Sequence, residues 1–146
     1  MERYEKNWFF AKYKEQLVIV STDYNDFQKK LLEKGYLINL DSRIRRVIDW
    51  DTLDEKHVFY YDFEGNELEI YSRFKESPIY NEMYLIVECG PEYPIMRVSV
   101  DFFMEHWYEF VMLNGYMGCC ALSGSDKYIL EFTDATDYLL YSNFLL

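Results

Sequence analysis

The chain has 146 residues, a formal net charge of −11, and a composition that is 50% hydrophobic and 20% aromatic. This length suits one domain, and the apolar content argues against disorder despite the charge. No stretch approaches the about 18 consecutive apolar residues of a membrane span, and residues 1–16 lack the apolar run of a signal peptide. We therefore expect a cytoplasmic protein that makes no contact with a membrane.

Acidic residues are concentrated in the later two-thirds of the chain. Residues 1–48 carry a formal charge of +3, whereas residues 49–146 carry −14. The densest clusters are Asp49, Asp51, Asp54 and Glu55 around Trp50, followed by Asp62, Glu64, Glu67 and Glu69. This asymmetry predicts an acidic face. The alternative is that the charge serves only solubility.

The first third of the chain predicts one helix between short strands. Residues 8–13 predict a strand or the end of one, and residues 17–20 (LVIV) predict a buried strand. Apolar residues at helical spacing, followed by Gly35, predict a helix over about residues 23–34. Residues 36–40 predict another strand. A small basic patch follows at Arg43, Arg45 and Arg46, but the acidity of the remaining chain disfavours nucleic acid.

Two aromatic and β-branched segments flank a Gly-Asn turn in the middle of the chain. They are residues 57–63 (HVFYYDF) and residues 67–74 (ELEIYSRF). In the second segment, apolar Leu68 and Ile70 alternate with acidic Glu67 and Glu69, which is the spacing of a half-exposed strand. The pattern predicts a β-hairpin.

The second half predicts strands around one long helix. Residues 84–89 (YLIVEC) predict a central strand, and residues 95–100 predict a strand that leads into a helix over residues 101–114. Residues 118–123 and 127–133 predict a second hairpin, and the apolar last residues predict a final strand or short helix packed on the sheet. The predicted fold is a single α+β domain with an antiparallel sheet of five to seven strands and two main helices, about 23–34 and 101–114.

The long helix has an apolar stripe and an acidic outer face. Phe103, Trp107 and Phe110 recur at three- and four-residue steps, which predicts that this side faces the core. The opposite side carries Asp101, Glu105, Tyr108, Glu109 and Met112. Asp101 is the predicted N-cap, and Gly115 occupies the position of a left-handed C-cap residue.

No catalytic motif accompanies these elements. Three cysteines, at positions 89, 119 and 120, are too few for a disulfide framework and predict buried thiols in a reducing compartment. Of the two histidines, His106 is expected to be a hydrogen-bonded core residue. His57, with Asp54 and Glu55 nearby in the sequence, is only a weak match to a metal site. The sequence therefore predicts neither an enzyme nor a bound cofactor.

An acidic, tyrosine-rich surface is suited to binding a basic protein. Aromatic side chains supply desolvated anchors, and opposed charges accelerate the encounter. The predicted partner-binding residues are Asp49, Trp50, Asp51, Asp54, Glu55, Glu64, Glu67, Glu69, Glu105, Tyr108 and Glu109. The oligomeric state stays open at this point.

In size, acidity and expected compartment, the chain resembles the immunity proteins of bacterial toxin systems. These are small intracellular inhibitors paired with polymorphic or contact-dependent growth-inhibition toxins. The resemblance covers the chain as a whole and rests on composition rather than on a motif. It implies an inhibitor that covers the active site, or a neighbouring surface, of a cognate basic toxin, commonly a nuclease, without a cofactor.

Two other functions fit the same composition. One is a small-molecule-binding domain or enzyme with a pocket between helix and sheet, lined by tyrosine and tryptophan. The other is a nucleic-acid mimic that antagonises a DNA-binding enzyme, which requires carboxylates spaced like phosphates.

Overall fold

Strands and helices are interspersed along the chain in a computed structural model that describes residues 3–40, 47–61, 67–115, 118–133 and 139–146. The strands in these ranges are β1 (Val18–Ser21), β2 (His57–Tyr60), β3 (Tyr84–Glu88), β4 (Ile95–Ser99), β5 (Cys119–Ser123), β6 (Ile129–Phe132) and β7 (Leu139–Ser142). The α-helices are α1 (Trp8–Lys12), α2 (Asn25–Glu33), α3 (Glu67–Glu76) and α4 (Val100–Met112).

The strands form one antiparallel sheet in the order β1-β4-β3-β5-β6-β7-β2. The sheet confirms the predicted α+β class and the predicted antiparallel sheet. β3 lies in the interior, as predicted, and β7 lies between β6 and β2. The first two strands of the sequence, β1 and β2, form the two edges.

Two hydrophobic layers lie on opposite faces of the sheet, because alternate side chains of a strand point to opposite sides. Toward α1, α3 and α4 the strands present Leu85, Val87, Met96, Val98, Ala121, Leu130, Phe132 and Leu140. Toward α2 they present Ile86, Ile95, Cys120, Leu122, Ile129 and Tyr141. The segment 47–53 completes this second layer with Ile48 and Trp50, each 1% exposed.

The long helix forms close to its predicted position. α4 begins one residue earlier than predicted because Ser99, and not Asp101, is the N-cap, and its hydroxyl accepts a hydrogen bond from the Phe102 amide at 3.1 Å. The predicted stripe is buried against the sheet, and the ring of Trp107 stacks on that of Phe132 at 5.1 Å. Gly115 has a φ of +61°, as expected of a residue that ends a helix in the left-handed region.

The predicted strand over residues 8–13 is wrong, because residues Trp8–Lys12 form α1. The side chain of Asn7 accepts a hydrogen bond from the Phe9 amide at 2.9 Å, which caps the helix. Neighbouring Phe9 and Phe10 are both buried, at 1% and 6% exposure. An apolar pair on one side of a short helix therefore replaces the alternation that a half-buried strand requires.

The predicted hairpin over residues 57–74 is also wrong, because its second arm is α3. Ile70 and Phe74, one helical turn apart, are both fully buried against the sheet. Glu69 and Arg73 pair at 3.1 Å with the same four-residue spacing. Leu68, which the strand pattern placed beside Ile70, is 81% exposed instead. Burial at a four-residue interval thus outweighs the local β-propensity.

Other predictions for the first half are confirmed in part. α2 lies within the predicted range, and the left-handed Gly35 follows it with a φ of +90°. β1 forms, but it is an exposed edge strand and not a buried one. The predicted strand over residues 36–40 is reduced to a single bridge between Ile38 and Ile48. Arg43, Arg45 and Arg46 lie outside the described residues.

The strand predictions for the second half are confirmed. β5 and β6 form the predicted hairpin, and Asp126 in its turn has a φ of +67°. The apolar C-terminal stretch contributes β7, where Tyr141 faces α2 and Leu140 faces α4. Cys89, Cys119 and Cys120 are buried and free, as predicted.

Candidate protein-binding groove

A groove of about 210 Å³ lies between the first turn of α3 and the middle of α4. Its lining consists of Glu67, Leu68, Tyr71, Met104, Glu105 and Trp107. Met104 and Trp107 form an apolar floor, each 1% exposed, whereas Leu68 stands out at the rim with 81% of its surface exposed. An apolar side chain is thus held in solvent above an aromatic floor.

The core contacts of α3 and α4 place these side chains. Phe74 of α3 packs edge-on against Phe103 of α4 at 6.2 Å, which sets the two helices side by side. The indole nitrogen of Trp107 donates to the carbonyl oxygen of Glu67 at 3.4 Å and fixes the first turn of α3. Because Ile70 and Phe74 face the core, Leu68 and Glu69 are exposed, whereas Tyr71 is half-buried against the core.

Carboxylates border the groove on both helices. Glu67 is on α3 and Glu105 is on α4, and both are exposed. Within the described ranges neither makes an ion pair. Glu69, one residue further along α3, is paired with Arg73. We name Glu67, Leu68, Tyr71 and Glu105 the α3–α4 acidic groove.

The predicted site residues Tyr108 and Glu109 lie one turn further along α4. Tyr108 is half-buried and packs edge-on against Trp107 at 6.0 Å. Glu109 Oε1 lies 3.4 Å from Nδ1 of His106, and Glu109 Oε2 has no hydrogen-bond partner among the described residues. His106 packs on Phe102 at 4.4 Å, which agrees with the predicted hydrogen-bonded core histidine.

Trp50, the predicted aromatic anchor, is a core residue. It is 1% exposed, stacks on Tyr141 at 5.4 Å, and donates its indole N–H to Glu131 at 2.8 Å. It therefore belongs to the layer on the α2 face and contributes nothing to the surface of the isolated chain. Trp50 does lie in an acidic segment, as the sequence shows. The local sequence does not distinguish a buried tryptophan between aspartates from an exposed one.

The acidic residues around Trp50 form a separate cluster. Asp51 and Asp54 are exposed, and Asp51 pairs with Lys56 at 3.5 Å. Glu55 pairs with His57 at 3.1 Å. Asp49 is half-buried. Their segment is anchored on the α2 face, whereas the α3–α4 acidic groove is on the opposite face, so the predicted residues divide into two groups. Glu64 lies outside the described residues.

Two buried carboxylates form a second polar cluster, which sequence reasoning missed. Glu88 on β3 and Glu131 on β6 both face α2, and each is paired in register with Cys120 on the strand between them. Glu131 accepts hydrogen bonds from the amides of Val47 at 2.5 Å and Ile48 at 3.2 Å, in addition to the Trp50 indole. It therefore clamps the segment 47–50 onto the sheet.

Burial raises the pKa of both carboxyl groups to about 7. For Glu131, hydrogen bonds from Val47 and Trp50 oppose the rise, and for Glu88 the amide of Gly90 opposes it. Burial, together with the charge of Glu88, also raises the pKa of the Tyr24 hydroxyl to about 12. Such carboxyl groups suit general acid–base chemistry. At 4% and 3% exposure, however, both are buried below the described surface, and Glu131 uses its oxygens to hold the segment 47–50.

No cluster for metal binding is found within the described ranges. Burial raises the pKa of the thiols of Cys89, Cys119 and Cys120, so none of them is an activated nucleophile. The alternative prediction placed a ligand pocket between helix and sheet. On the α4 side of the sheet, Phe103 and Phe110 are buried to 1% exposure or less.

Comparison with protein-family models, with curated proteins and with solved structures found no significant match to this chain. In the part of the chain that the structure describes, no helix has the length and apolar character needed to cross a bilayer.

Leu68 and Tyr71 are the groove residues that the sequence did not reveal, because the hairpin prediction placed them on a strand. Ile70 and Phe74 at a four-residue interval were the available signal for the helix. For Glu88 and Glu131, the signal was a single glutamate inside each of two otherwise apolar strands, YLIVE and ILEF. A charged residue in an interior strand indicates a specific buried partner.

Proposed function

We propose that this chain is an inhibitor of the immunity-protein type, which binds a cationic toxin domain in the cytoplasm through the α3–α4 acidic groove. The observation that carries the proposal is Leu68, an 81% exposed leucine between the exposed carboxylates of Glu67 and Glu105. Protein interfaces combine an apolar centre with a polar rim, and truncating the central residues costs the most affinity.

The charges of the rim indicate the chemistry of the partner. A surface with the charge of this chain repels acidic partners and attracts basic ones, and the attraction mainly accelerates association. The floor of Met104 and Trp107 accepts an apolar side chain inserted beside Leu68. The partner surface is therefore expected to present lysine or arginine around an apolar residue, which fits a nuclease with a cationic active site.

The test is protection of a bacterial cell from a basic toxin domain encoded beside the gene for this chain. Co-expression of the wild-type chain should restore growth, and the purified pair should bind with an affinity that falls with salt concentration. Leu68→Lys should weaken binding at least about thirtyfold, since loss of a central contact costs about 2 kcal/mol or more. Glu105→Lys should mainly slow association.

The matched control is Leu32→Lys on α2, since Leu32 is also an exposed leucine but lies on the other face of the sheet. It should bind and protect like the wild type. Equal loss with Leu32→Lys and Leu68→Lys would remove the groove from the proposal. A neighbouring toxin that the chain fails to neutralise, or competition of the complex by DNA alone, would contradict an inhibitor of this type and favour a nucleic-acid mimic in the second case.

A further inference from the structure

Cys89 and Cys119 lie side by side on two neighbouring strands of the sheet. β3 and β5 are antiparallel, and Glu88 at the end of β3 is in register with Cys120. One residue further along the same register, Cys89 lies opposite Cys119, the first residue of β5. Both side chains belong to the hydrophobic layer that faces α1, α3 and α4, at 1% and 4% exposure. Two free thiols therefore share one buried place at the end of a strand pair.

The two thiols are in contact, and the backbone around them has the spacing of a disulfide. The S–H group of Cys89 donates a hydrogen bond to Sγ of Cys119. Directly opposed residues of an antiparallel pair have Cα atoms about 4.5–5.5 Å apart, which lies within the range of about 4.4–6.8 Å that a disulfide spans. A bond between the two sulfur atoms therefore requires no shift of either strand.

Cys120 cannot replace either partner, although it is adjacent to Cys119. Successive side chains of a strand point to opposite faces of the sheet, so Cys120 belongs to the layer that faces α2. Its neighbours in register on that face are Glu88 and Glu131. The sheet thus selects one pair from the three cysteines.

The geometry points to Cys89 and Cys119 as a redox-sensitive pair, which a small disulfide such as oxidised glutathione converts into an intramolecular disulfide. The thiolate of Cys119 attacks one sulfur of the small disulfide, whose S–S bond breaks and releases a first thiol. The thiolate of Cys89 then attacks Sγ of Cys119 in the mixed disulfide and releases a second thiol. The chain loses two protons and two electrons, and the small disulfide takes them up as two thiols.

Burial makes this exchange slow but leaves a route for it. Burial raises the pKa of both thiols, so the folded chain holds little thiolate. Both cysteines lie at the end of a strand, however, where local opening costs the least free energy. Cys119 reacts first because it is the more exposed of the two and because the hydrogen bond from Cys89 favours its thiolate.

The disulfide would close a loop that contains β4 and α4, since both elements lie between residues 89 and 119. A cross-link over about 30 residues stabilises a protein mainly by restricting its unfolded chain. Because β3 and β5 are already paired, the folded structure should change little. Oxidation is therefore expected to raise stability without altering the surface, and the inference does not rest on the proposed function.

The first test is equilibration of the folded full chain in mixtures of reduced and oxidised glutathione. After an acid quench, free thiols are alkylated in denaturant and counted by mass spectrometry. In excess oxidised glutathione the wild-type chain should carry one alkyl group in place of three, and a peptide map should join Cys89 to Cys119. Cys120→Ala should form the same disulfide, whereas Cys89→Ala should form none.

Three results would overturn the inference. They are a wild-type chain that keeps all its thiols free or bears glutathione without an internal bridge, a bridge that includes Cys120, and a bridge that forms only after urea has unfolded the chain. In the last case the folded sheet would play no part in selecting the pair.

The second test is thermal unfolding of the oxidised and the reduced chain. Oxidation should raise the Tm of the wild type by at least about 5 °C, and dithiothreitol should reverse the rise. Cys120→Ala should show the same rise, and Cys89→Ala should show none. An unchanged or lowered Tm in the oxidised wild type would mean that the strands must distort to form the bond, which would overturn the geometric argument.

Discussion

Glu88→Gln should remove the part of the pH dependence of stability that the buried carboxyl group of Glu88 causes. Glu88 is 4% exposed, and burial raises its pKa from 4.5 to about 7. Between these values the folded chain holds a proton that the unfolded chain has released. The free energy of unfolding therefore falls as pH rises through this range, and the loss is complete above the folded pKa.

The pKa difference gives the size of the effect. At about 1.4 kcal/mol per pKa unit, Glu88 contributes a loss of about 3 kcal/mol between pH 4 and pH 8.5. Glutamine keeps an oxygen that can accept from the Gly90 amide but carries no charge, so it removes this pH-dependent loss. Its buried NH₂ group costs about 1 kcal/mol at every pH if it finds no acceptor. We expect Glu88→Gln to be less stable than the wild type at pH 4 and about 2 kcal/mol more stable at pH 8.5.

Urea unfolding followed by circular dichroism at pH 4, 6, 7 and 8.5 measures this difference. Glu33→Gln, at an exposed position of α2, is the control and should follow the wild-type curve. Parallel pH profiles for Glu88→Gln and the wild type would refute the reasoning, because Glu88 would then titrate in the folded chain as it does in the unfolded one.

Four further changes test other parts of the structure. Glu131→Ala leaves two backbone N–H groups and the Trp50 indole without their acceptor. It should therefore lower the free energy of unfolding by about 3 kcal/mol or more and speed hydrogen exchange at Val47. A loss below about 1 kcal/mol would contradict the role of Glu131 in holding the segment 47–50 on the sheet. Gly118→Ala should cost at least about 3 kcal/mol by calorimetry, because a Cβ there meets the Phe132 carbonyl oxygen. Gly35→Ala, with the same φ of +90° and nothing within 4 Å, should cost only about 1 kcal/mol. Leu68→Ala should change stability by less than about 0.5 kcal/mol, and a larger loss would show that this leucine supports the fold.

The sequence predicted the second half of the fold better than the first, and the reason is physical. The strands β3 to β7 lie in the sheet interior or in hairpins, where apolar runs and turn residues act locally. The edges and the short helices depend on partners elsewhere in the chain. Asn7 caps α1, and Phe9 in this helix is buried against Phe102 and Phe110 of α4, which no local pattern shows.

For the candidate site, the sequence predicted the carboxylates but not the arrangement. Acidic clusters are visible from composition, but whether Trp50 is an anchor or a core residue depends on Glu131, 81 residues further along the chain. In the same way, Leu68 became the centre of the groove only because α3 is a helix. A short apolar pattern is ambiguous when it fits two periods. Ile70 and Phe74 have the four-residue spacing of a helix, whereas Leu68 and Ile70 have the two-residue spacing of a strand.

The order of the strands has a consequence for how the chain acquires its structure in time. Residues 84–142 supply five consecutive strands that are neighbours in the sheet, whereas β1 and β2 pair with strands far along the sequence. During synthesis at about 5–20 residues per second, β2 and Trp50 must wait several seconds for β7 and its Tyr141 to emerge. We expect refolding to begin in the later strands, with the tryptophan-containing segment 47–53 joining last.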